Sequence, residues 1–269
     1  MTRKLIAIDL DGTLLKNWDT LTDETIHYLK ELKERGHILV IATGRPYRSS
    51  IDFYEAIGLD TPLINYNGGL VTSKHDPHFK DYALYIEKDH IIDIFQENSQ
   101  HIENAFCEIK DDIYLLKEDE RIEPLLHNFN GARLQVGPFK ETLPGPTNGF
   151  IIIAKKNQGK FIEDYIKSHH KETVLSRNWG DEYRYIIEVF TPETNKGNAL
   201  KYVADYYKIK QEDIIAFGDA HNDLEMISFA GRGVAMANAT DELKEAANET
   251  TKKTNKENGL IEHLKTIFN

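Results

Sequence analysis

Leu5-Ile6-Ala7-Ile8-Asp9-Leu10-Asp11-Gly12-Thr13 is the stretch whose reading decides the fold. Leu5 to Leu10 is a short apolar run ended by Asp11-Gly12, the pattern of a buried strand running into a turn. Working outward, Thr22 to Arg35 reads as a helix. Thr22 is its N-cap, Asp23 and Glu24 lie in its first turn, Ile26, Leu29 and Leu32 recur at three-residue steps, and Gly36 ends it. His37 to Ala42 is a second buried strand, closed by Thr43-Gly44-Arg45-Pro46. Pro46 suits the first position of a helix running to Ile57 and stopped by Gly58. Leu63 to Tyr66 is a third strand, followed by the turn Asn67-Gly68-Gly69.

The last third repeats the rhythm. Helices are predicted at Lys196 to Tyr207, Asp223 to Phe229, Asp241 to Ala247 and Ile261 to Phe268, and strands at Ile214 to Phe217 and Gly233 to Met236. Strands alternating with helices imply parallel pairing by right-handed crossovers, hence an α/β, doubly wound, mainly parallel Rossmann-like core. The middle differs. Helix-like stretches (Glu87 to Ser99, Gln158 to His169) stand among short strands (Ile113 to Leu116, Phe150 to Ala154, Thr173 to Arg177, Tyr185 to Val189) and a Gly/Pro-rich turn region from Gly137 to Pro146. The expected organisation is a core in two parts, 1–81 and 188–269, with an inserted α+β domain at 82–187.

The 269 residues carry 33 Lys and Arg against 44 Asp and Glu, a net charge of −11. Such a surface disfavours the phosphate backbone, so nucleic acid is excluded as a partner class, while a small anion at a locally cationic site is not. No apolar run approaches the roughly 20 residues of a membrane span, and the opening MTRKLIAIDLDGT has no apolar stretch of signal-peptide length. The one cysteine, Cys107, permits no intrachain disulfide and reads as a small buried side chain. These features point to a cytoplasmic protein without a membrane partner. Oligomeric state leaves no mark on the sequence.

Polar clusters fall at the C-terminal ends of core strands: Asp9-Leu10-Asp11-Gly12-Thr13, Thr43-Gly44, and Gly218-Asp219 through Asn222-Asp223. Lys196-Gly197 lies at a helix start. In an open parallel sheet that edge binds ligands, and exposed backbone N–H groups there suit a phosphate. Asp9, Asp11, Asp219 and Asp223 on one edge would repel one another and call for a hard divalent cation, for which Mg²⁺ is the natural choice. A carboxylate can attack phosphorus, and a second can protonate the leaving oxygen and then activate water. Each residue also has a plainer reading. Thr43 alone would cap the helix near Pro46, Lys196 alone would be a solvated helix-start lysine, Asp223 would be the N-cap of its own helix, Asn67-Gly68 a simple turn and His221 a bystander.

DLDGTLL (Asp9 to Leu15), ATGR (Ala42 to Arg45), NKGNAL (Asn195 to Leu200) and GDAHNDLEMI (Gly218 to Ile227) resemble, in order, the four signature motifs of haloacid dehalogenase-like hydrolases. The run Ala230 to Ala247 and the tail TKKTNKENGLIEHL resemble the Cof-type phosphatase branch, whose large α+β (type IIB-like) cap lies between the second and third motifs. The resemblance implies a Mg²⁺-dependent phosphatase of small phosphorylated metabolites, of the sugar phosphate, pyridoxal phosphate or FMN class. It makes Asp9 the nucleophile and Asp11 the general acid/base, and has Leu10, Thr43, Gly44, Lys196 and Asn222 bind the phosphoryl group. Metal would be held by Asp9, Asp219 and the backbone carbonyl of Asp11, with Asp223 behind them. Arg45, Asn67, Gly68, Arg177 and Trp179 are candidate substrate contacts, as are Tyr183 and Glu188 near the return to the core. Arg45 could equally pair with a core carboxylate. Asn195 departs from the small or apolar residue usual before the lysine. The alternatives are a phosphotransferase or sugar-phosphate mutase using the same intermediate, and a non-catalytic phosphometabolite-binding protein.

Overall fold

The computed structural model describes residues 2–179 and 185–269. Contacts divide the chain into two compact units: Met1–Arg45, Ser50–Tyr82 and Asn195–Asn269 form one, and Pro46–Ser49 with Ala83–Thr194 form the other. The first is α/β and the second α+β.

The first unit is built on a five-stranded sheet in the order Glu249–Thr250, Arg232–Ala235, Ile214–Gly218, Leu5–Ile8, Ile38–Ile41, every pair parallel. Leu5–Ile8 and Ile38–Ile41 are buried at every position, which is why their sequences show runs rather than alternation. Ile8 stands level with Phe217 on one side and Ile41 on the other. A parallel bridge between Ala42 and Ile64 brings in Leu63–Asn65, which pairs antiparallel with Leu70–Thr72. The helix Asp23–Glu34 is capped as its sequence suggests, with Thr22 Oγ1 accepting from Thr25 N at 3.2 Å. Leu70–Thr72 and Glu249–Thr250 are too short to show a period.

The helix expected from Pro46 is shorter than its sequence suggested. Tyr47–Ser49 is a single 3₁₀ turn and the α-helix spans Ile51–Ile57, ending at Gly58 with φ +72°. The reason lies in Arg48, whose peptide N–H donates to Asp111 Oδ1 at 2.9 Å, binding these residues into the second unit.

That second unit has a six-stranded sheet in the order Leu175–Asn178, Tyr185–Phe190, Gly149–Ala154, Ile102–Ile109, Asp112–Leu115, Leu134–Val136, antiparallel except for its last pair. Period-two alternation splits its core. Phe150 and Ile152 join Cys107 and the helix residues Ile91, Ile94, Ile162 and Ile166, while Ile151 and Ile153 join Phe106, Ile113 and Ile122. Cys107 is buried, as its sequence reading has it, and burial pushes its thiol up. The strand Ile102–Ile109 escapes sequence reading because Asn104 and Glu108 interrupt it, yet both are buried. Asn104 Nδ2 donates to Lys117 O at 2.9 Å. Glu108 pairs with Arg48, whose side chain is wholly buried and also donates to the carbonyls of Leu126 (2.6 Å) and His127 (2.9 Å). Among the described residues, no helix is long and apolar enough to cross a membrane.

Removing one partner of a buried ion pair strands the other charge. Glu108→Ala should therefore cost about 3–5 kcal/mol. Arg48→Met with Glu108→Leu should cost clearly less, as measured by denaturant unfolding and by hydrogen exchange along residues 102–109.

Candidate active site

In-register parallel pairing delivers the polar motifs to one level. Asp9 N donates to Phe217 O (3.1 Å), Ala42 N to Ile8 O (2.9 Å) and Met236 N to Gly218 O (2.9 Å), so Asp9, Thr43 and Asp219 each leave the sheet within a residue of that edge. Beyond Asp9 the chain coils through Leu10–Leu14, closed by Leu15 N to Leu10 O at 2.9 Å. Gly12 has φ +76°, and a Cβ there would stand 2.1 Å from Asp219 Oδ2. Backbone conformation and space both demand glycine. Thr13 Oγ1 donates to Asp219 Oδ1 at 3.4 Å.

Lys196 opens the helix Lys196–Tyr207. Asn195 is its N-cap, accepting from Asn198 N at 2.7 Å, which gives the unusual asparagine a structural role. The lysine is not solvated but fully buried, with Nζ 2.6 Å from Asp9 Oδ1 and 2.6 Å from Asp223 Oδ1. Asp223 is equally buried. Its Oδ2 accepts from the N–H groups of Asp219 (2.9 Å) and Ala220 (3.1 Å). It braces the turn that carries Asp219 and makes no capping bond to its own helix.

Carboxylate oxygens of Asp9, Asp219 and Asp223 lie within 4.8 Å of one another. Asp11 lies outside this group, because its carboxylate pairs with Arg45, Nε to Oδ2 at 2.8 Å and Nη2 to Oδ1 at 2.5 Å. Burial, opposed by Lys196 and reinforced by Asp223 and Asp219, pushes the Asp9 carboxyl well above the ordinary carboxylate range. Burial and then the Asp223 charge push Asp219 up to about 7. Burial works against the charge on Lys196, but Asp223 and Asp9 outweigh it and hold its pKa above the usual lysine value. The cluster is short of positive charge, and its donors are all oxygen, the set a hard divalent cation takes. Among the described residues neither Asp9 Oδ2 nor Asp219 Oδ2 accepts a hydrogen bond, whereas both oxygens of Asp223 are engaged. A cation therefore fits, on Asp9 and Asp219, with Asp223 fixing both from behind.

Thr43 is fully buried, and its Oγ1 accepts from Arg45 N at 3.1 Å, a turn-stabilising bond rather than the helix cap read for it in isolation. Among the described residues, the peptide N–H groups of Leu10 and Gly44 donate to no backbone carbonyl. Asn222 Nδ2 donates to Asn67 Oδ1 at 2.8 Å. The turn Tyr66–Gly68 does more than reverse the chain. Asn67 N donates to Thr43 O at 3.0 Å, and a Cβ on Gly68 (φ +97°) would stand 2.3 Å from Asn195 O. Three consecutive positive-φ residues thus brace parts of three motifs at once. The Asn-Gly pair is the only sequence trace of this, and it reads as an ordinary turn.

His221 is exposed and faces Glu242, Nδ1 to Oε2 at 3.0 Å. In the second unit, Arg177 Nη2 and Trp179 Nε1 each lie 3.0 Å from Glu188 Oε2, on the neighbouring strand, with the Trp179 ring half exposed. Tyr183 lies outside the described residues.

The model of the haloacid dehalogenase-like hydrolase family matches residues 6–264. The chain belongs to that family, and it is a phosphatase-class enzyme of its Cof-type branch. It is 39% identical over 267 residues to a 5-amino-6-(5-phospho-D-ribitylamino)uracil phosphatase of Bacillus subtilis, covering 98% of this chain and 97% of that one. It is 29% identical to a pyridoxal phosphate phosphatase of Escherichia coli, covering 92% of this chain and 93% of that one. The crystal structure of TM0651 from Thermotoga maritima superposes with a TM-score of 0.85 at 25% identity, covering 100% of this chain and 98% of that one.

The raised Asp219 carboxyl sets a pH dependence of stability. The folded chain binds that proton more tightly than the unfolded chain, so the contribution of Asp219 to stability falls as pH rises from the ordinary carboxylate value through about 7. In chelator, the denaturation midpoint should drop between pH 4.5 and pH 7.5. Asp219→Asn should flatten the drop, and added Mg²⁺ should raise the midpoint more at pH 7.5 than at pH 4.5.

Proposed function

We propose that the chain hydrolyses phosphate monoesters of small metabolites through a phosphoryl-Asp9 intermediate, with Mg²⁺ as cofactor. The observation that carries this reading is the fixed Asp9 carboxylate. Buried Lys196 holds Oδ1, and Oδ2 accepts no hydrogen bond from the described residues. Asp9 attacks phosphorus as the bond to the leaving oxygen breaks, and Asp11 gives that oxygen its proton. Asp11 then takes a proton from water, whose oxygen attacks the phosphoryl-Asp9, releasing inorganic phosphate and restoring the carboxylate. Thr43, the N–H groups of Leu10 and Gly44, Lys196 and Asn222 would hold the equatorial oxygens as charge redistributes among them. A bound Mg²⁺, held by Asp9, Asp219 and the carbonyl of Asp11, would supply charge neutralisation that one lysine cannot.

The relatives that act on a ribitylaminouracil phosphate and on pyridoxal phosphate support a substrate with a primary phosphate ester on a small, ring-bearing metabolite. Those two compounds therefore head a substrate panel ranked by kcat/KM. Asp9→Asn should lower phosphate release by several orders of magnitude while circular dichroism stays unchanged, and acid quenching with labelled substrate should trap label on the wild-type chain alone. Full turnover by Asp9→Asn removes Asp9 from the mechanism, and a full rate in EDTA removes the metal.

A further inference from the structure

Arg45 presents its fork edge-on to Asp11, so that each carboxylate oxygen takes one N–H, at 2.8 Å and 2.5 Å. Nη2 also donates to the carbonyl of Trp18 at 2.6 Å. The guanidinium carbon lies 4.4 Å from the centroid of the Trp18 ring and 5.4 Å from that of Phe53. The Arg45 side chain is only 8% exposed, against 35% for Asp11. An arginine held by a carbonyl, a carboxylate and two ring faces is a fixed platform. Asp11 is the more exposed partner of the pair.

The coil Leu10–Leu14 gives Asp11 little support of its own. Asp11 has non-helical φ −78° and ψ 122°, and Gly12 after it has no side chain. We propose that Arg45 is the positioning residue of the reaction: it fixes the direction from which the Asp11 carboxyl group, protonated for this step, approaches the leaving oxygen, and it does not bind the substrate. This rests on the role given to Asp11 above. A planar fork specifies the plane and rotation of a carboxylate, which a lysine at the same place would not. Trp18 serves the same end at one remove. Its ring is 64% exposed yet lies over the guanidinium, so its role is to hold Arg45 flat.

Leaving-group dependence isolates this role. A nitrophenolate departs without a proton, whereas an alkoxide needs one, and kcat/KM reports the phosphorylation step in which it is supplied. Arg45→Ala should lower kcat/KM for an alkyl phosphate such as glycerol 2-phosphate by about 10²-fold or more. It should change kcat/KM for p-nitrophenyl phosphate only a few-fold. Arg45→Lys, which keeps the charge and loses the fork, should recover only part of the alkyl-ester rate. Trp18→Leu should show the same pattern more weakly. Equal losses on both esters would mean Arg45 merely supports the fold, and a raised KM at unchanged kcat would mean it binds substrate; either result overturns the proposal. Asp11→Asn separates the acid/base role of Asp11 from the positioning role of Arg45. If it penalises the alkyl ester selectively while Arg45→Ala does not, only the positioning role fails. If it shows no selectivity, the acid/base role of Asp11 fails and the proposal with it.

Discussion

The ammonium of Lys196, shut off from solvent between Asp9 and Asp223, sets the terms for everything around it. Burying one cation costs several kcal/mol even after relaxation, and burying carboxylates beside it costs more. The two short contacts to Lys196 offset part of that cost, and the peptide N–H groups of Asp219 and Ala220 offset more at Asp223. The remaining imbalance sits on Asp9 and Asp219, both held above the ordinary carboxylate range. Such a cluster is stable only if the scaffold forbids its relaxation, and it gains most from a cation.

The scaffold does so with backbone rather than side chains. Equal register between Leu5–Ile8 and its two parallel neighbours makes the exits of three strands coincide. At Gly12 the backbone turns through a positive φ hard against Asp219, and at Gly68 it turns against the carbonyl that precedes Lys196. A methyl group at either place would push a charged element out of line. The geometry of this site thus depends on positions that carry no chemistry themselves.

The second unit shows the same economy with buried charge. Arg48 belongs to it although it lies three residues beyond Arg45 in the chain, and it satisfies Glu108 and two carbonyls at the end of a helix. Its burial explains both the truncated helix at Ile51–Ile57 and the polar interruption in Ile102–Ile109, the two elements whose sequence and structure agree least. In each case a long-range contact of Arg48 overrides local propensity.

Sequence alone determined the parallel core, because strands covered on both faces must be continuous apolar runs and helices between them must carry a 3.6-residue period. It also determined which polar motifs end those strands, since motif order and strand order are the same string. Distance was outside its reach. That Lys196 is sealed and not solvated, that Asp223 and not Asp11 joins the carboxylate cluster, that Arg45 turns to Asp11, and that Tyr66–Gly68 touches three motifs were decided by tertiary structure. Burial and pairing join segments as far apart as Thr13 and Asp219, 206 residues, and no local pattern encodes a contact whose partner lies elsewhere in the chain.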